Sequence, residues 1–211
     1  MKIIYLDTID STQRYLKDLL KSKELTSPVA VVADEQSSGQ GSRGNSWIGQ
    51  KGNLFLSFSI PIKELPDDLR LESSSIYFSY LLKHVLEEHG SKVWLKWPND
   101  FYIDDHKIGG TITNIVKEDL VCGIGLNLLS SPDGFSRLDI DISKENILNG
   151  YFNYLKKNIQ WKHIFSKYKL EFYKSKEYFA HSKDIKVSLT NAVLQDDGSI
   201  VSDGQRIYSL R

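Results

Sequence analysis

The residues most suited to chemistry lie in one stretch, residues 95–110, which reads LKWPNDFYIDDHKIGG. Lys96 and Asp100 flank a proline, which fixes φ and disfavours a helix at this point. β-prone residues then lead to a polar turn and on to Lys107, so a hairpin would fold Lys107 back toward Asp100. A carboxylate and cations beside the bare backbone of glycines 109–110 would suit a carboxylate or phosphate ligand.

A β-hairpin with solvated charges is the plainer interpretation of that stretch, and it would be preferred for an isolated KxxND pattern. Three further segments argue against it. Residues 36–47, QSSGQGSRGNSW, form a predicted glycine-rich loop, and residues 121–128, VCGIGLNL, read as a strand with two glycines and an asparagine. Near the N-terminus, Asp10, Ser11 and Thr12 add polar groups that can also cap a helix.

In their order and spacing, these four segments resemble the biotin–protein ligases, the enzymes that attach biotin to carboxylase subunits. The resemblance covers essentially the whole chain. Its specific part is KWPND followed, seven residues after Asp100, by Lys107 in a K-[ILV]-[AG]-G context. The resemblance implies that the carboxylate of biotin attacks the α-phosphorus of ATP to give biotinyl-5′-AMP. A lysine of a biotin carboxyl carrier protein would then displace AMP.

The resemblance also implies catalytic roles for two residues of the hairpin. Lys107 corresponds to the lysine that contacts the biotin carboxylate and the bridging phosphate. A positive charge there would lower the repulsion between two anions. Asp100 would orient the incoming lysine amine or accept its proton. The alternative for Lys107 is a solvated lysine on a strand.

The biotin site is expected to contain hydroxyl and amide groups, because the ureido ring of biotin is neutral, planar and polar. The plainer alternatives are a helix cap for Ser11 and Thr12 and a loop position for Gln36. By resemblance, the expected biotin-binding residues are Ser11, Thr12, Gln36, Gly39, Gln40, Lys107, Gly110 and Thr111.

The ATP site is expected to combine a stacking residue and an amide near adenine with polar groups near the phosphates. The alternatives are an ordinary core position for Trp47 and a brace for the turn at Lys96. Mg²⁺ would arrive with ATP, and no resident metal is expected because the histidines lack metal-ligand spacing. By resemblance, the expected ATP-binding residues are Trp47, Lys96, Asn99, Asn127 and Arg43.

The glycine-rich loop departs from the family pattern. The common pattern is GRGRxGRxW, whereas this chain reads GQGSRGNSW, so Gln40, Ser42 and Asn45 stand where arginines are usual. Arg43 is the cation that this loop retains, and the glycines around it allow the backbone to shift. We predict that Arg43 turns inward and takes a catalytic role by retaining the adenylate. The alternative is that it points to solvent and the intermediate leaks.

The composition argues for an ordinary globular protein. The 211 residues contain 27 basic and 27 acidic side chains, so no overall charge favours nucleic acid or a membrane. No apolar run reaches the roughly 18 residues of a transmembrane helix, and the acidic N-terminus, MKIIYLDTIDST, does not resemble a signal peptide. The single cysteine, Cys122, suits a reducing cytoplasm and a buried strand position rather than a thioester.

The elements that must position these residues follow from periodicity and turn signals. Helices and hairpins predict an α+β fold: a mixed, largely antiparallel sheet with flanking helices, which by resemblance is like a class II aminoacyl-tRNA synthetase domain. A short SH3-like all-β unit would follow, giving a catalytic domain at 1–182 and a truncated β domain at 183–211. The predicted strands are near 2–6, 28–33, 53–60, 92–95, 101–104, 107–116 and 120–128, and the predicted helices are near 11–21, 70–89 and 143–179.

The expected partner is a biotin carboxyl carrier domain, with the ligase a monomer or a weak homodimer. Some relatives carry an N-terminal winged helix and repress transcription. This chain starts directly at the catalytic domain, so we expect a monofunctional ligase that binds no specific DNA and no membrane.

Two other functions stay open at this stage. A lipoate or octanoate attachment enzyme would share the catalytic fold. A non-catalytic biotin-binding module would be consistent with the altered loop, because the missing arginines are its main support.

Overall fold

The computed structural model describes residues 1–41, 46–182 and 185–209, and its centre is a single eight-stranded sheet. The strand order is β1-β2-β4-β8-β7-β6-β5, with β3 paired to β2. Only the β1–β2 pair of this sheet is parallel. The strands are β1 (Lys2–Ile9), β2 (Val29–Gln40), β3 (Ser46–Gly49), β4 (Leu54–Pro61), β5 (Trp94–Lys96), β6 (Asp100–Ile103), β7 (His106–Val116) and β8 (Asp119–Leu126).

One face of the sheet is covered by α1 (Thr12–Ser22). Ser11 is the N-cap, and its hydroxyl accepts a hydrogen bond from the backbone N–H of Arg14, as the sequence predicted. Leu16 and Leu20 fall on one side of the helix and pack on the apolar residues of β2 and β8. This packing fixes α1 on the sheet, with the N-terminus of the helix near the C-terminal end of β2.

The opposite face is covered by α2 (Ser74–Glu88), α3 (Lys144–Lys156) and α4 (Trp161–Glu171). The predicted helix at 70–89 begins later than expected, because residues 71–73 form a 3-10 turn first. The predicted helical region at 143–179 is two helices followed by a second 3-10 turn at 172–177. The apolar sides of all three helices pack on the same large core as β4, β7 and β8.

The structure corrects the prediction of a glycine-rich loop at residues 36–47. Its first five residues continue β2 as far as Gln40, and Ser46 and Trp47 belong to β3, which pairs antiparallel with β2. Serine and glycine do not reveal a strand by hydrophobic alternation, which explains why the pattern favoured a loop. Residues 42–45, which include Ser42, Arg43 and Asn45, lie outside the described residues.

The C-terminal segment forms the short all-β unit that the sequence predicted, and the α+β fold class is confirmed. It packs on the large core through Leu189, Ala192 and Ile200. The Trp97 indole N–H also donates to the Gly198 carbonyl across 2.8 Å. The strands are β9 (Phe179–Ser182), β10 (Ile185–Ser188), β11 (Val193–Leu194), β12 (Ile200–Ser202) and β13 (Gln205–Ile207).

The predicted domain boundary near residue 182 stays a prediction. β9 ends at that residue and pairs with β10, so the last strand before the boundary forms a hairpin with the first strand after it.

A buried ionic cluster joins α2 to α4. The Lys83 ammonium lies 2.7 Å from a Glu87 carboxylate oxygen and 3.4 Å from one of Glu171, with the Lys83 and Glu171 side chains only 5% and 15% exposed. Burial raises the pKa of Glu171 to about 7, because the attraction of Lys83 only partly offsets the loss of hydration.

This pKa predicts how stability changes with pH. Above the ordinary carboxyl value of 4.5 and below about 7, the folded protein holds a proton that the unfolded chain has released. The free energy of unfolding therefore falls as the pH rises from about 4.5 to about 7, and this contribution levels off above that range. We expect Glu171→Gln to flatten this fall in urea denaturation, by at most about 1.4 kcal/mol per pH unit.

Glu87→Gln is the matched control. It removes a carboxylate that contacts the same lysine but is more exposed, and the fall with pH should persist. Equal pH dependence in wild type and Glu171→Gln would show that Glu171 does not titrate in this range.

Candidate active site

The floor of the candidate site is a patch of sheet without side chains. Gly110 of β7 and Gly123 and Gly125 of β8 lie on the face that carries α1. A Cβ atom added at Gly123 would lie 2.6 Å from the Gln13 side-chain oxygen, and one at Gly125 would lie 2.7 Å from the Trp47 ring. These glycines let two side chains lie directly on the backbone, and a flat ligand could do the same.

The cleft above this floor is enclosed by the start of α1, the end of β2, β3 and the β6–β7 hairpin. It brings together most of the residues that the sequence predicted. Of these, Ser11, Thr12, Gln36, Gln40, Trp47, Asn99, Asp100, Lys107, Gly110 and Thr111 line the cleft.

Lys107 reaches the cleft because of a β-bulge. Asp100 pairs with Gly110, and an uninterrupted ladder would then pair Lys107 with Ile103, on the opposite face from Asp100. One extra residue in β7 instead pairs Lys107 with Tyr102 and turns its side chain onto the Asp100 face. The hairpin therefore does fold Lys107 back toward Asp100, as the sequence predicted.

The Asp100 carboxylate lies between two ammonium groups. One oxygen is 2.6 Å from the Lys107 nitrogen, and the other is 3.3 Å from the Lys96 nitrogen. Lys107 is the more exposed of the two lysines and faces the cleft, whereas Lys96 lies behind Asp100. A cation at the cleft wall, held by a carboxylate beneath it, is suited to receive an anionic group.

Asn99 braces the floor beside this pair. Its amide donates to the Thr111 carbonyl, and the Thr111 N–H donates to the Asn99 carbonyl across 3.0 Å. The two residues therefore hold the loop after Pro98 against β7.

A second polar group lies at the start of α1. The Gln36 side-chain oxygen accepts the Thr12 backbone N–H at 2.8 Å and the Thr12 hydroxyl at 3.0 Å. The Thr12 and Ser57 hydroxyls lie 2.9 Å apart. This buried network of hydroxyls and amides suits a neutral polar ring better than a charged group, because it carries no net charge.

Trp47 separates the cleft from a neighbouring pocket. Its ring lies edge-on to Phe135 at 6.3 Å between centroids and 5.9 Å from the Lys107 nitrogen. The second pocket is lined by Ser46, Trp47, Asn127, Pro132 and Phe135. Because Trp47 contributes to both, ligands in the two pockets would approach each other beside Lys107.

Asn53 holds the segment that forms this second pocket. It is buried, and its side-chain oxygen accepts the backbone N–H groups of Leu128, Leu129 and Ser130 at 2.9, 3.1 and 3.3 Å. Its amide donates to the Ser130 carbonyl at 2.9 Å. The Asn127 amide in turn donates to the Ser136 carbonyl at 3.0 Å.

Several site residues were missed by the sequence analysis. Gln13 lines the cleft, and its amide nitrogen donates to Asn114 and to the Val121 carbonyl at 3.2 and 3.3 Å. Ser57, Asn53 and Phe135 were missed as well. The glycines of β8 were the available signal. A strand without side chains leaves space that side chains from other elements, or a ligand, must fill.

Three predicted residues lie away from the cleft wall or outside the described residues. Gly39 pairs with Trp47 across β2 and β3, and Lys96 lies behind Asp100. Arg43 is outside the described residues, so its inward turn stays a prediction.

The single cysteine does not line the cleft. Cys122 is buried in the core, as predicted, and burial raises the pKa of its thiol. Across residues 1–41, 46–182 and 185–209, no group of three or more His, Cys, Asp or Glu side chains could hold a metal ion. In the same ranges, no helix is long and apolar enough to cross a membrane.

Comparison with known proteins identifies the family. Residues 5–128 match the biotin/lipoate A/B protein ligase family, and this chain belongs to that family. The match covers the cleft, the glycine floor and the Asp100–Lys107 pair.

Individual relatives are biotin ligases. The chain is 33% identical over 133 residues to the bifunctional ligase/repressor BirA of Escherichia coli, and 29% identical over 143 residues to BirA of Bacillus subtilis. These matches cover 60% and 63% of this chain but only 40% and 42% of those relatives, so the chain spans less than half of their length.

Solved structures extend the comparison to the whole chain. The biotin acetyl coenzyme A carboxylase synthetase of Helicobacter pylori, solved with bound biotinylated ATP, is 41% identical. It superposes with a TM-score of 0.94 over 98% of this chain and 99% of that one. The biotin protein ligase of Aquifex aeolicus, in complex with biotin and ATP, has the same fold, with a TM-score of 0.78 at 24% identity over 100% and 96% of the two chains.

The Asn53 contacts predict a stability effect. Asn53→Ala would remove a buried side chain and the partner of three backbone N–H groups and one carbonyl, so we expect it to lower the free energy of unfolding by about 2–4 kcal/mol. Chemical denaturation measures this loss. Asn149→Ala, on the exposed side of α3, is the control and should cost less than about 1 kcal/mol. Equal losses at both positions would show that the Asn53 contacts do not stabilise this segment specifically.

Proposed function

We propose that this protein is an ATP-dependent biotin–protein ligase. It activates biotin as biotinyl-5′-AMP and transfers the biotinyl group to a lysine of a biotin carboxyl carrier protein. The observation that carries the proposal is the Asp100–Lys107 pair at the edge of a glycine floor, beside a second pocket across Trp47. The likeness to the Helicobacter pylori enzyme over 98% of the chain supports the choice of substrates.

The ring of biotin binds over the glycine floor. Ser11, Thr12 and Gln36 provide hydroxyl and amide groups for the ureido ring, which has two N–H donors and one carbonyl acceptor. Gln40, Gly110 and Thr111 complete the pocket, and Gly39 supports it by pairing with Trp47. Gln36 already accepts two hydrogen bonds from Thr12, so ligand binding must share or replace these contacts.

In the first step, a carboxylate oxygen of biotin attacks the α-phosphorus of ATP, and pyrophosphate leaves with the electrons of the broken P–O bond. Lys107 is the catalytic cation, because its ammonium at the cleft wall offsets the repulsion between the carboxylate and the phosphate. Asp100 keeps that ammonium in place at 2.6 Å before the substrates arrive. Preorganisation of this kind lowers the barrier, since the charge need not be moved during the reaction.

The nucleotide occupies the second pocket. Trp47 offers a ring face for adenine, and Asn127 offers an amide for its edge. Asn99 lines the biotin cleft next to Asp100 and is proposed to contact the nucleotide from there. Mg²⁺ arrives with ATP as part of that substrate.

In the second step, the amine of the acceptor lysine attacks the carbonyl carbon of the mixed anhydride, and AMP leaves. Asp100 orients this amine and accepts its proton. Lys107 stabilises the charge on the departing phosphate. Arg43, which follows Gln40 closely in the chain, is proposed to retain the adenylate until the acceptor arrives.

A carboxyl carrier domain is the proposed macromolecular partner, with no role for DNA or a membrane. We keep the cytoplasm as the proposed location and a monomer or weak homodimer as the proposed state.

Incubation of the pure protein with biotin, ATP, Mg²⁺ and a carboxyl carrier domain tests the proposal. We expect biotin-dependent release of pyrophosphate and one biotin on the carrier lysine. Modification by lipoate or octanoate instead of biotin would favour the rival attachment enzyme. Binding of biotin without pyrophosphate release would leave only a biotin-binding module.

Lys107→Ala should lower the rate of biotinyl-5′-AMP formation by about 100-fold or more, because a preorganised charge in a closed site supplies several kcal/mol. The measurement is biotin-dependent exchange of pyrophosphate into ATP. Lys92→Ala removes an exposed lysine from the segment before β5 and should leave the rate unchanged. A wild-type rate for Lys107→Ala would remove this residue from the mechanism.

A further inference from the structure

Lys96 is held in place by aromatic rings. Its nitrogen lies 5.4 Å from the ring centroid of Tyr102 and 5.9 Å from that of Tyr178. The two tyrosines are 5.3 Å apart edge-to-face, and Trp94 contacts both at 5.2 and 5.5 Å. We call Trp94, Tyr102 and Tyr178 the ring cluster.

The sheet places two members of the ring cluster beside the catalytic pair. Across β5, β6 and β7, one row on the cleft face reads Lys96, Asp100 and Gly110, and the next row reads Trp94, Tyr102 and Lys107. Asp100 therefore contacts a lysine from each row. These contacts follow from strand pairing and from the bulge.

Tyr178 comes from a different part of the chain. It lies between α4 and β9, and its hydroxyl donates to the Asp105 carboxylate in the β6–β7 turn at 3.1 Å. Its carbonyl accepts the Leu189 N–H from the segment after β10. Tyr178 thus connects the C-terminal β unit to the hairpin that carries Asp100 and Lys107.

We propose that Lys96 and Tyr178 are positioning residues that hold the Asp100 carboxylate during transfer to the acceptor lysine. The inference rests on the proposed function and deepens it, because it gives Lys96 a role other than the phosphate contact expected from sequence. Lys96 acts through Asp100, and Tyr178 acts through Lys96.

Asp100 needs a second contact because Lys107 has two roles. When an anionic substrate enters, the Lys107 ammonium must serve both the substrate and Asp100. A carboxylate that loses part of its contact with Lys107 gains freedom to rotate about its side-chain bonds. Lys96, on the opposite oxygen, keeps the carboxylate oriented. A lysine side chain is flexible, and the faces of two aromatic rings restrict its positions.

The proposal predicts different effects on the two half-reactions. Asp100 acts on the acceptor amine, so loss of its orientation should slow transfer from biotinyl-5′-AMP. The KM for ATP should stay within about twofold of wild type, because this contact is not made to the nucleotide. A phosphate contact by Lys96 would instead raise that KM.

The test uses the full chain with synthetic biotinyl-5′-AMP and a carboxyl carrier domain in single-turnover reactions. Tyr178→Leu removes the ring and should slow transfer about tenfold, which lies between the effects of an exposed and of a fully desolvated cation–ring contact. Tyr178→Phe keeps the ring, loses the Asp105 contact and should stay within about threefold of wild type. This rescue separates the ring from the hydrogen bond.

Phe179→Leu is the matched control. Phe179 is the next residue, and its ring also makes a cation–π contact with a lysine: the Lys186 nitrogen lies 4.0 Å from the ring centroid. The same aromatic-to-leucine change there should leave transfer unaffected, since Phe179 does not contact Lys96. A loss equal to that of Tyr178→Leu would mean that the segment acts only through general stability, and the proposal would fail.

A double-mutant cycle closes the test. Lys96→Met should slow transfer at least as much as Tyr178→Leu, and adding Tyr178→Leu to Lys96→Met should cost nothing further. Additive losses would overturn the claim that Tyr178 acts through Lys96. Should Tyr178→Leu fail to fold, Lys96→Met and Tyr178→Phe still decide: wild-type transfer by Lys96→Met overturns the proposal.

The two levels of the proposal fail differently. Absence of transfer by the wild-type protein would refute the proposed function itself. Normal transfer by wild type, together with normal transfer by Lys96→Met, would refute only the positioning role.

Discussion

The ion pair between Asp100 and Lys107 depends on one extra residue in β7. Without the bulge, strand pairing would place the two side chains on opposite faces of the sheet. The bulge also leaves Ile108 in the core, where it is fully buried. The same distortion therefore satisfies the core on one face and assembles the charged pair on the other. The rest of the site is built around this pair: the glycine floor lies beside it, and Trp47 stands above it.

The charged and the neutral polar groups of the site lie on opposite sides of the cleft. The lysines and the carboxylate are grouped on the β5–β7 side, whereas the Thr12–Gln36–Ser57 network on the α1 side carries no net charge. A ligand with a neutral polar ring at one end and an anionic group at the other would match both ends. Biotin has this character, and a phosphate entering past Trp47 would meet its carboxylate at Lys107. In the proposed function, this arrangement accounts for both the choice of acid and the place of its activation.

Local signals in the sequence were sufficient for the α+β class and the hairpin, whereas most of the cleft residues were predicted by resemblance to a known family. The proline before Asn99, the turn at Asp104 and the glycine pair at 109–110 mark the hairpin by chain geometry alone. The bulge was not predictable, since it depends on which residues of two strands pair. Gln13 and Tyr178 were missed for a related reason: each acts through a contact with a distant part of the chain. The strand character of residues 36–40 was hidden by serine and glycine, which have no hydrophobic alternation.

The most direct test of this account is a crystal structure of the protein with biotin bound. The account predicts the ureido ring over the glycines of β8, beside Thr12 and Gln36, with the carboxylate about 3 Å from the Lys107 nitrogen. Asp100 should still contact Lys107 from the opposite side. Biotin bound with its carboxylate away from Lys107, or bound outside the cleft, would contradict the central role of the Asp100–Lys107 pair.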